Sequence, residues 1–216
     1  MVSLGKPIRA LGRSLLKLRV AAEQRRELRR WERDGRPVPP PHAVKQKALR
    51  RYAQAFGTRV LVETGTYMGD MVAAMLDQFD RIYSIELSEE LHQRARARFA
   101  DEPRVTILQG DSAHVLPELL KGLDERCLFW LDGHYSSGVT ALGEKETPVE
   151  QELRAILTHP VTGHVVLIDD ARQFVGTGDW PAISTIESMV HSIDPRLVVR
   201  VEDDIIRVHP PRPRSD

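Results

Sequence analysis

Three runs of the sequence carry an apolar segment directly into residues able to do chemistry. Val62-Glu63-Thr64-Gly65-Thr66-Tyr67-Met68-Gly69 ends one of them on an acid and a glycine-bounded turn. Glycines at a strand-to-helix junction let the backbone turn sharply and approach a ligand, so a nucleotide-like ligand is implied. The spacing is Gly-x-x-x-Gly, whereas a dinucleotide fingerprint reads Gly-x-Gly-x-x-Gly, and Glu63 suits a cationic ligand better than a diphosphate. Leu128-Phe129-Trp130-Leu131 leads into Asp132, Gly133, His134 and Tyr135, and His164-Val165-Val166-Leu167-Ile168 leads into Asp169 and Asp170. If neighbouring strands bring Asp132 to Asp169 and Asp170, three carboxylates repel unless a cation sits among them. Hard oxygen donors select Mg²⁺, or Mn²⁺ or Ca²⁺.

Two more acids complete the set. Glu86 ends the run Arg81–Leu87 about twenty residues after the glycine turn, where a carboxylate can accept both hydrogen bonds of a ribose diol. Asp111, preceded by Gly110 and followed by Ser112, ends the run Val105–Leu108.

Positioning these groups requires a sheet whose carboxyl ends share one edge. Arg59–Glu63, Arg81–Leu87, Val105–Leu108, Cys127–Leu131 and His164–Ile168 read as strands buried on both faces, separated by helical patterns. Met71, Val72, Met75, Leu76 and Phe79 share one helical face, as do Val115, Leu116, Leu119 and Leu120. Thr147-Pro148-Val149-Glu150 reads as an N-cap, a first-turn proline and a capping-box glutamate. Such βαβ alternation predicts an α/β fold with a mostly parallel sheet. Leu197–Val201 and Ile205–Val208 are too close for a crossover helix, so a C-terminal antiparallel hairpin closes the sheet.

The chain has 216 residues, 41% of them hydrophobic, enough for one core without staples. A single cysteine, Cys127, excludes an intramolecular disulfide, and with no apolar leader or spanning run a cytoplasmic location is expected. The net charge of zero hides a division, since residues 1–51 hold 15 Lys/Arg against 4 Asp/Glu. Leu4, Ile8, Leu11, Leu15, Leu18 and Ala22 form a narrow helical stripe among arginines, and Pro37, Pro39, Pro40 and Pro41 end it. Residues 1–56 are therefore read as a basic helical arm with a Pro-rich linker, and 57–216 as the working domain. The arm suits pairing with a second copy, contact with an anionic surface, or folding back on the acidic body, and no specific nucleic acid is expected.

Across residues 57–209 the sequence resembles the class I S-adenosylmethionine-dependent methyltransferases. Glu63-Thr64-Gly65-Thr66-Tyr67-Met68-Gly69 stands as the first motif, Ile85-Glu86-Leu87 as the second and Gly110-Asp111-Ser112 as the third, followed by the terminal hairpin. The resemblance implies a Rossmann-like methyltransferase fold with S-adenosyl-L-methionine as cofactor. Glu63, Gly65, Thr66, Tyr67 and Gly69 would form its loop, Glu86 would hold the ribose, and Asp111 with Ser112 would sit near adenine. Thr66-Tyr67 replaces the middle glycine of the commoner motif.

The Asp132 and Asp169-Asp170 segments look like the metal-dependent sugar O-methyltransferases of macrolide and aminocoumarin biosynthesis. That likeness implies Mg²⁺ held by Asp132, Asp169 and Asp170 against a small-molecule or glycan acceptor. His134 stands where those enzymes carry a second Asp as base, and an imidazole can serve there as base or as metal ligand. Asp132 and His134 are thus the expected catalytic pair. Ser136–Lys145 and Gln173–Asp179 suit a substrate lid, with Tyr135 and Arg172 as acceptor contacts. Two rival readings fit the residues less well. A non-catalytic nucleoside-binding or assembly protein has no need of this acid cluster, and an NAD-dependent reductase lacks its glycine spacing.

Overall fold

The computed structural model describes residues 21–133 and 147–211. Its strands are β1 (Val60–Thr64), β2 (Arg81–Glu86), β3 (Val105–Gln109), β4 (Cys127–Leu131), β5 (Val165–Ile168), β6 (Val198–Glu202) and β7 (Ile205–His209). They form one seven-stranded sheet in the order β3-β2-β1-β4-β5-β7-β6. The first five strands pair in parallel, while β7 runs antiparallel to both β5 and β6. The turn between β6 and β7 is Asp203-Asp204, both at positive φ, 55° and 60°, which matches the twist of a tight hairpin.

Helices are α1 (21–33), α2 (His42–Phe56), α3 (Asp70–Met75), α4 (Glu89–Arg98), α5 (Ser112–Leu120), α6 (Val149–Leu157) and α7 (Ile183–Ile193). Side chains alternate across a strand, so each central strand feeds two cores. Val62, Phe129, Leu131, Val166 and Ile168 pack with Leu116, Leu153, Ile186 and Val190 on one face. Leu61, Leu128, Trp130, Val165 and Leu167 pack with Leu49, Tyr52, Val72 and Met75 on the other. Cys127 and Trp130 are core residues, as expected.

Packing moves the boundary expected at residue 56. Leu49 and Tyr52 of α2 are 0% exposed, and the Tyr52 ring lies under Arg207 of β7. The body therefore begins at His42, because the apolar face of α2 is needed to cover β4 and β5. Preceding it, α1 lies against α2 through Gln24 to Gln46 and Glu32 to Lys47, while the buried Trp31 indole donates to the Pro37 carbonyl. The leucine stripe before Ala22 falls outside the described residues.

Two local expectations shift. Pro148, not Thr147, is the N-cap of α6, and the Thr147 hydroxyl accepts from Val149 N–H in place of a Glu150 capping box. In one expected lid segment, Gln173–Asp179, residues 175–179 are exposed while its ends are anchored: Phe174 and Trp180 are buried and meet edge to face, and Thr177 bridges Trp180. The other lid segment, Ser136–Lys145, lies outside the described residues. No helix among the described residues is long and apolar enough to cross a membrane.

Candidate active site at the carboxyl edge of the sheet

Strand order reverses between β1 and β4, and open α/β sheets bind ligands in the crevice beyond such a point. The turn after β1 fills one wall of it. Gly65, Tyr67 and Gly69 have φ of 85°, 49° and 75°, so three residues of five turn through left-handed conformations. A Cβ on Gly65 would meet the Asp132 carbonyl oxygen at 2.4 Å, while one on Gly69 would meet the Phe99 ring at 2.7 Å. The two glycines thus serve close packing of the loop against Asp132 and Phe99.

Glu63 does not point into the loop as a free carboxylate. It is 2% exposed and accepts from the Ser84 hydroxyl of β2, its register partner, which in turn shares a 2.6 Å hydrogen bond with Thr66. Burial pushes its carboxyl up to about 8, against the Ser84 hydrogen bond and with added repulsion from Glu86. At neutral pH Glu63 is therefore mainly protonated, and it braces the loop from beneath.

Glu86 stands where the sequence places it, at the end of β2 and 5% exposed. Its two oxygens accept from Tyr67 N–H at 2.7 Å and Ser88 N–H at 2.9 Å, tying the glycine turn to the start of α4. Each oxygen keeps further acceptor capacity for a ribose hydroxyl. Asp111 caps α5 by accepting from Ala113 N–H at 2.9 Å, and Ser112 opens that helix, buried at its start. Gly110 N–H donates to the Glu86 carbonyl, so the ends of β2 and β3 are joined beside the turn.

The acid cluster is the site's main departure from expectation. Asp132 and Asp169 do follow adjacent strands, with Asp132 N–H on Thr64 and Asp169 N–H on Leu131. Lys45 of α2, which sequence reasoning did not single out, reaches across the sheet edge and ion-pairs with Asp169 Oδ2, standing 3.8 Å from Asp170 Oδ1. Burial opposes its charge, but Asp169, with Asp132 and Asp170 behind it, holds the Lys45 ammonium above the usual lysine range. Burial also pushes the Asp169 carboxyl up, and Lys45 resists that.

Asp170 turns away at φ 55° and accepts from Arg172 at 2.7 Å and from Gln173 at 3.2 Å. Arg172 also pairs with Asp204 in the hairpin turn, so it clamps β5 to that turn and is not presented to an acceptor. Three carboxylates facing one ion are not what these residues build. Asp169 and Asp170 each have one oxygen paired with the chain's own cations, Lys45 and Arg172, and among the described residues no group of three or more His, Cys, Asp or Glu is gathered to hold a metal. A resident divalent ion on Asp132, Asp169 and Asp170 does not fit without displacing Lys45. His134 and Tyr135 lie outside the described residues.

Beside the cluster is a cavity lined by Leu131, Gly133, Thr147, Glu152, Asp169 and Trp180, among others. Asp169 forms its floor between strand ends, with its side chain 0% exposed. Three other histidines, His159, His164 and His209, are structural. His159 and His164 share a 3.1 Å hydrogen bond, with His164 accepting from Cys127 N–H, and burial lowers His164 to about 4. His209 is buried against the rings of Tyr52 and Phe56.

The fold is shared with solved methyltransferases. An O-methyltransferase from Bacillus cereus, solved with SAH, matches at 17% identity over 87% of this chain and 90% of that one, with a TM-score of 0.57. TomG from Streptomyces achromogenes, an O-methyltransferase involved in tomaymycin synthesis and solved with SAM, matches at 15% identity over 87% and 89%, TM-score 0.56. The SAH-bound Podospora anserina methyltransferase PaMTH1 matches at 15% identity over 98% of each chain, TM-score 0.53. A search of curated protein sequences finds no match. Residues 62–171 match the methyltransferase domain family, a span that takes in the glycine turn, Glu86, Asp111, Asp132, Asp169 and Asp170. With half the chain and every acid of the crevice inside that match, the protein belongs to the methyltransferase domain family.

Proposed function

We propose that the protein is an S-adenosylmethionine-dependent O-methyltransferase acting on a hydroxyl of a sugar or polyhydroxylated natural product. The observation that carries this reading is the two-part crevice. On one side of the β1–β4 reversal, Glu86 pins a left-handed glycine turn shaped for a nucleoside. On the other, Asp169 lines a small cavity, with room for about one water-sized group, beside Trp180 and Thr147. Two proteins of the same fold, the O-methyltransferases from Bacillus cereus and Streptomyces achromogenes, were solved with SAH and SAM.

Methyl transfer from a sulfonium is an in-line displacement, so the protein's work is to place donor and acceptor and to raise the nucleophilicity of one oxygen. Tyr67 N–H and Glu86 fix the donor side. Asp169 offers a buried acceptor for the hydroxyl proton. The Mg²⁺ that the sugar-enzyme likeness implies would act there as a Lewis acid, and Lys45 stands in its way.

Calorimetric titration with S-adenosylhomocysteine, followed by mass comparison of small-molecule extracts incubated with protein and S-adenosylmethionine, tests the reading. Binding of the nucleoside product and appearance of a species heavier by one methylene are expected. A protein that binds NAD and ignores both nucleosides overturns it.

A further inference from the structure

The cation expected among the acids is present, but it belongs to the chain. Lys45 Nζ lies on Asp169 Oδ2 and within 3.8 Å of Asp170 Oδ1, and its side chain is only 17% exposed. The opposite oxygen of the same carboxylate, Asp169 Oδ1, is buried without a hydrogen-bond partner among the described residues. An unsatisfied buried carboxylate oxygen is costly, and a native site that keeps one is normally completed by a donor from outside the fold. Asp169 lines a small cavity beside the β4 and β5 ends with room for about one water-sized group, where a single hydroxyl could supply that donor.

Resting on the methyltransferase reading above, we propose that Lys45 is the resident cation of this site in the place of a divalent ion, and that it presents Asp169 Oδ1 to the acceptor hydroxyl. The transfer then needs no metal. A lone pair of the acceptor oxygen forms the new carbon–oxygen bond, and the carbon–sulfur bond breaks with its electrons staying on sulfur. The hydroxyl proton passes to Asp169 Oδ1. Lys45 acts through Asp169 and is a positioning residue: without it, a carboxylate buried beside Asp132 and Asp170 would lose its compensating charge. Asp170 does not share this task, because Arg172 and Gln173 hold it.

The test uses Mn²⁺ binding, which needs no acceptor. Full-length wild type, Lys45→Met, Lys45→Arg and Lys45→Met/Asp169→Asn are titrated with Mn²⁺ by electron paramagnetic resonance, and with S-adenosylhomocysteine by calorimetry in parallel. Wild type and Lys45→Arg should leave Mn²⁺ free. Lys45→Met, which removes the ion-pair partner of Asp169, should gain at least about tenfold in Mn²⁺ affinity, since charge count sets the affinity of carboxylate sites. The added Asp169→Asn change should abolish the gain. Wild type that binds Mn²⁺ tightly and loses it on Asp169→Asn overturns the proposal, as does a Lys45→Met protein that still binds none. Retained nucleoside binding certifies the fold of each variant. Loss of nucleoside binding in wild type itself instead defeats the methyltransferase reading, and the Mn²⁺ result remains separately readable.

Discussion

Gly65 and Asp132 are packed backbone to backbone: a Cβ on the glycine would come within 2.4 Å of the Asp132 carbonyl oxygen and 3.0 Å of Gly133 Cα. The glycine turn after β1 and the acid-bearing turn after β4 are thus one wall, seen from two sides. Gly65→Ala should push them apart. Because φ is also 85°, the strain of a left-handed alanine adds to the overlap, and together they should cost about 2–4 kcal/mol. Gly57→Ala supplies the control. Gly57 sits at φ 65° with nothing within 4 Å of its would-be Cβ, so it should lose only about 1–2 kcal/mol. Chemical denaturation of both variants, with S-adenosylhomocysteine affinity measured alongside, checks the difference. Equal losses would mean the wall is not shared.

Glu63 makes a second expectation, in pH. Its folded carboxyl titrates at about 8, above the ordinary 4.5 of the unfolded chain. Between those values the folded state holds a proton that the unfolded state has released. The stability contributed is therefore fully present below the unfolded value and is lost as pH rises through the folded one. Glu63→Gln, which keeps the amide-sized group without the titration, should flatten the fall in melting temperature between about pH 5 and pH 8. A variant with the same slope as wild type would assign the slope elsewhere. A cationic ligand above this loop should also favour the charged form. Binding of S-adenosylmethionine should then release protons near pH 7, visible as buffer-dependent heats that vanish in Glu63→Gln.

Much of this edge was legible in the sequence for a simple reason. Strands buried on both faces, such as Cys127–Leu131, are continuous apolar runs, and the first polar residue after each run marks the carboxyl edge. Asp132 and Asp169 announce themselves that way. What those acids do once there depends on partners far away in the chain. Lys45 lies 124 residues from Asp169, on a helix whose pattern shows only that one face is apolar. The three-acid argument demanded a cation without saying whether an ion or a lysine supplies it. Glu63 was misread for the same reason, since its register partner Ser84, not its own segment, decides that it points under the loop. The domain boundary at residue 56 followed the charge division, while the fold follows the apolar face of α2.

That face is held by Tyr52, whose hydroxyl accepts from Arg200 at 2.5 Å and whose ring lies 5.4 Å from the Arg207 guanidinium. Tyr52→Phe should cost about 1–2 kcal/mol, the value of a hydrogen bond to a charged donor. Tyr52→Ala should cost about 3–5 kcal/mol, because it also leaves a cavity between α2 and the hairpin. Urea denaturation followed by tryptophan fluorescence measures both. Near-equal losses would show that the ring, not the hydroxyl, carries none of the anchoring.

Glu86 is placed for two tasks, and they can be separated. Tyr67 N–H and Ser88 N–H occupy one position on each carboxylate oxygen, so removing the side chain loosens the glycine turn whether or not a ligand is present. A ribose diol would use the remaining lone pairs. Glu86→Ala should weaken S-adenosylhomocysteine binding by about 1.5–3 kcal/mol for a lost charge-assisted contact, plus the cost of reordering the loop. Affinity for the 2′-deoxy analogue divides that total. Wild type should bind the deoxy compound less tightly than the parent nucleoside, and Glu86→Ala should bind the two equally, leaving a coupling energy of about 1–2 kcal/mol in the double cycle. Additive effects would mean that Glu86 only holds the turn closed and that the ribose is read by another group.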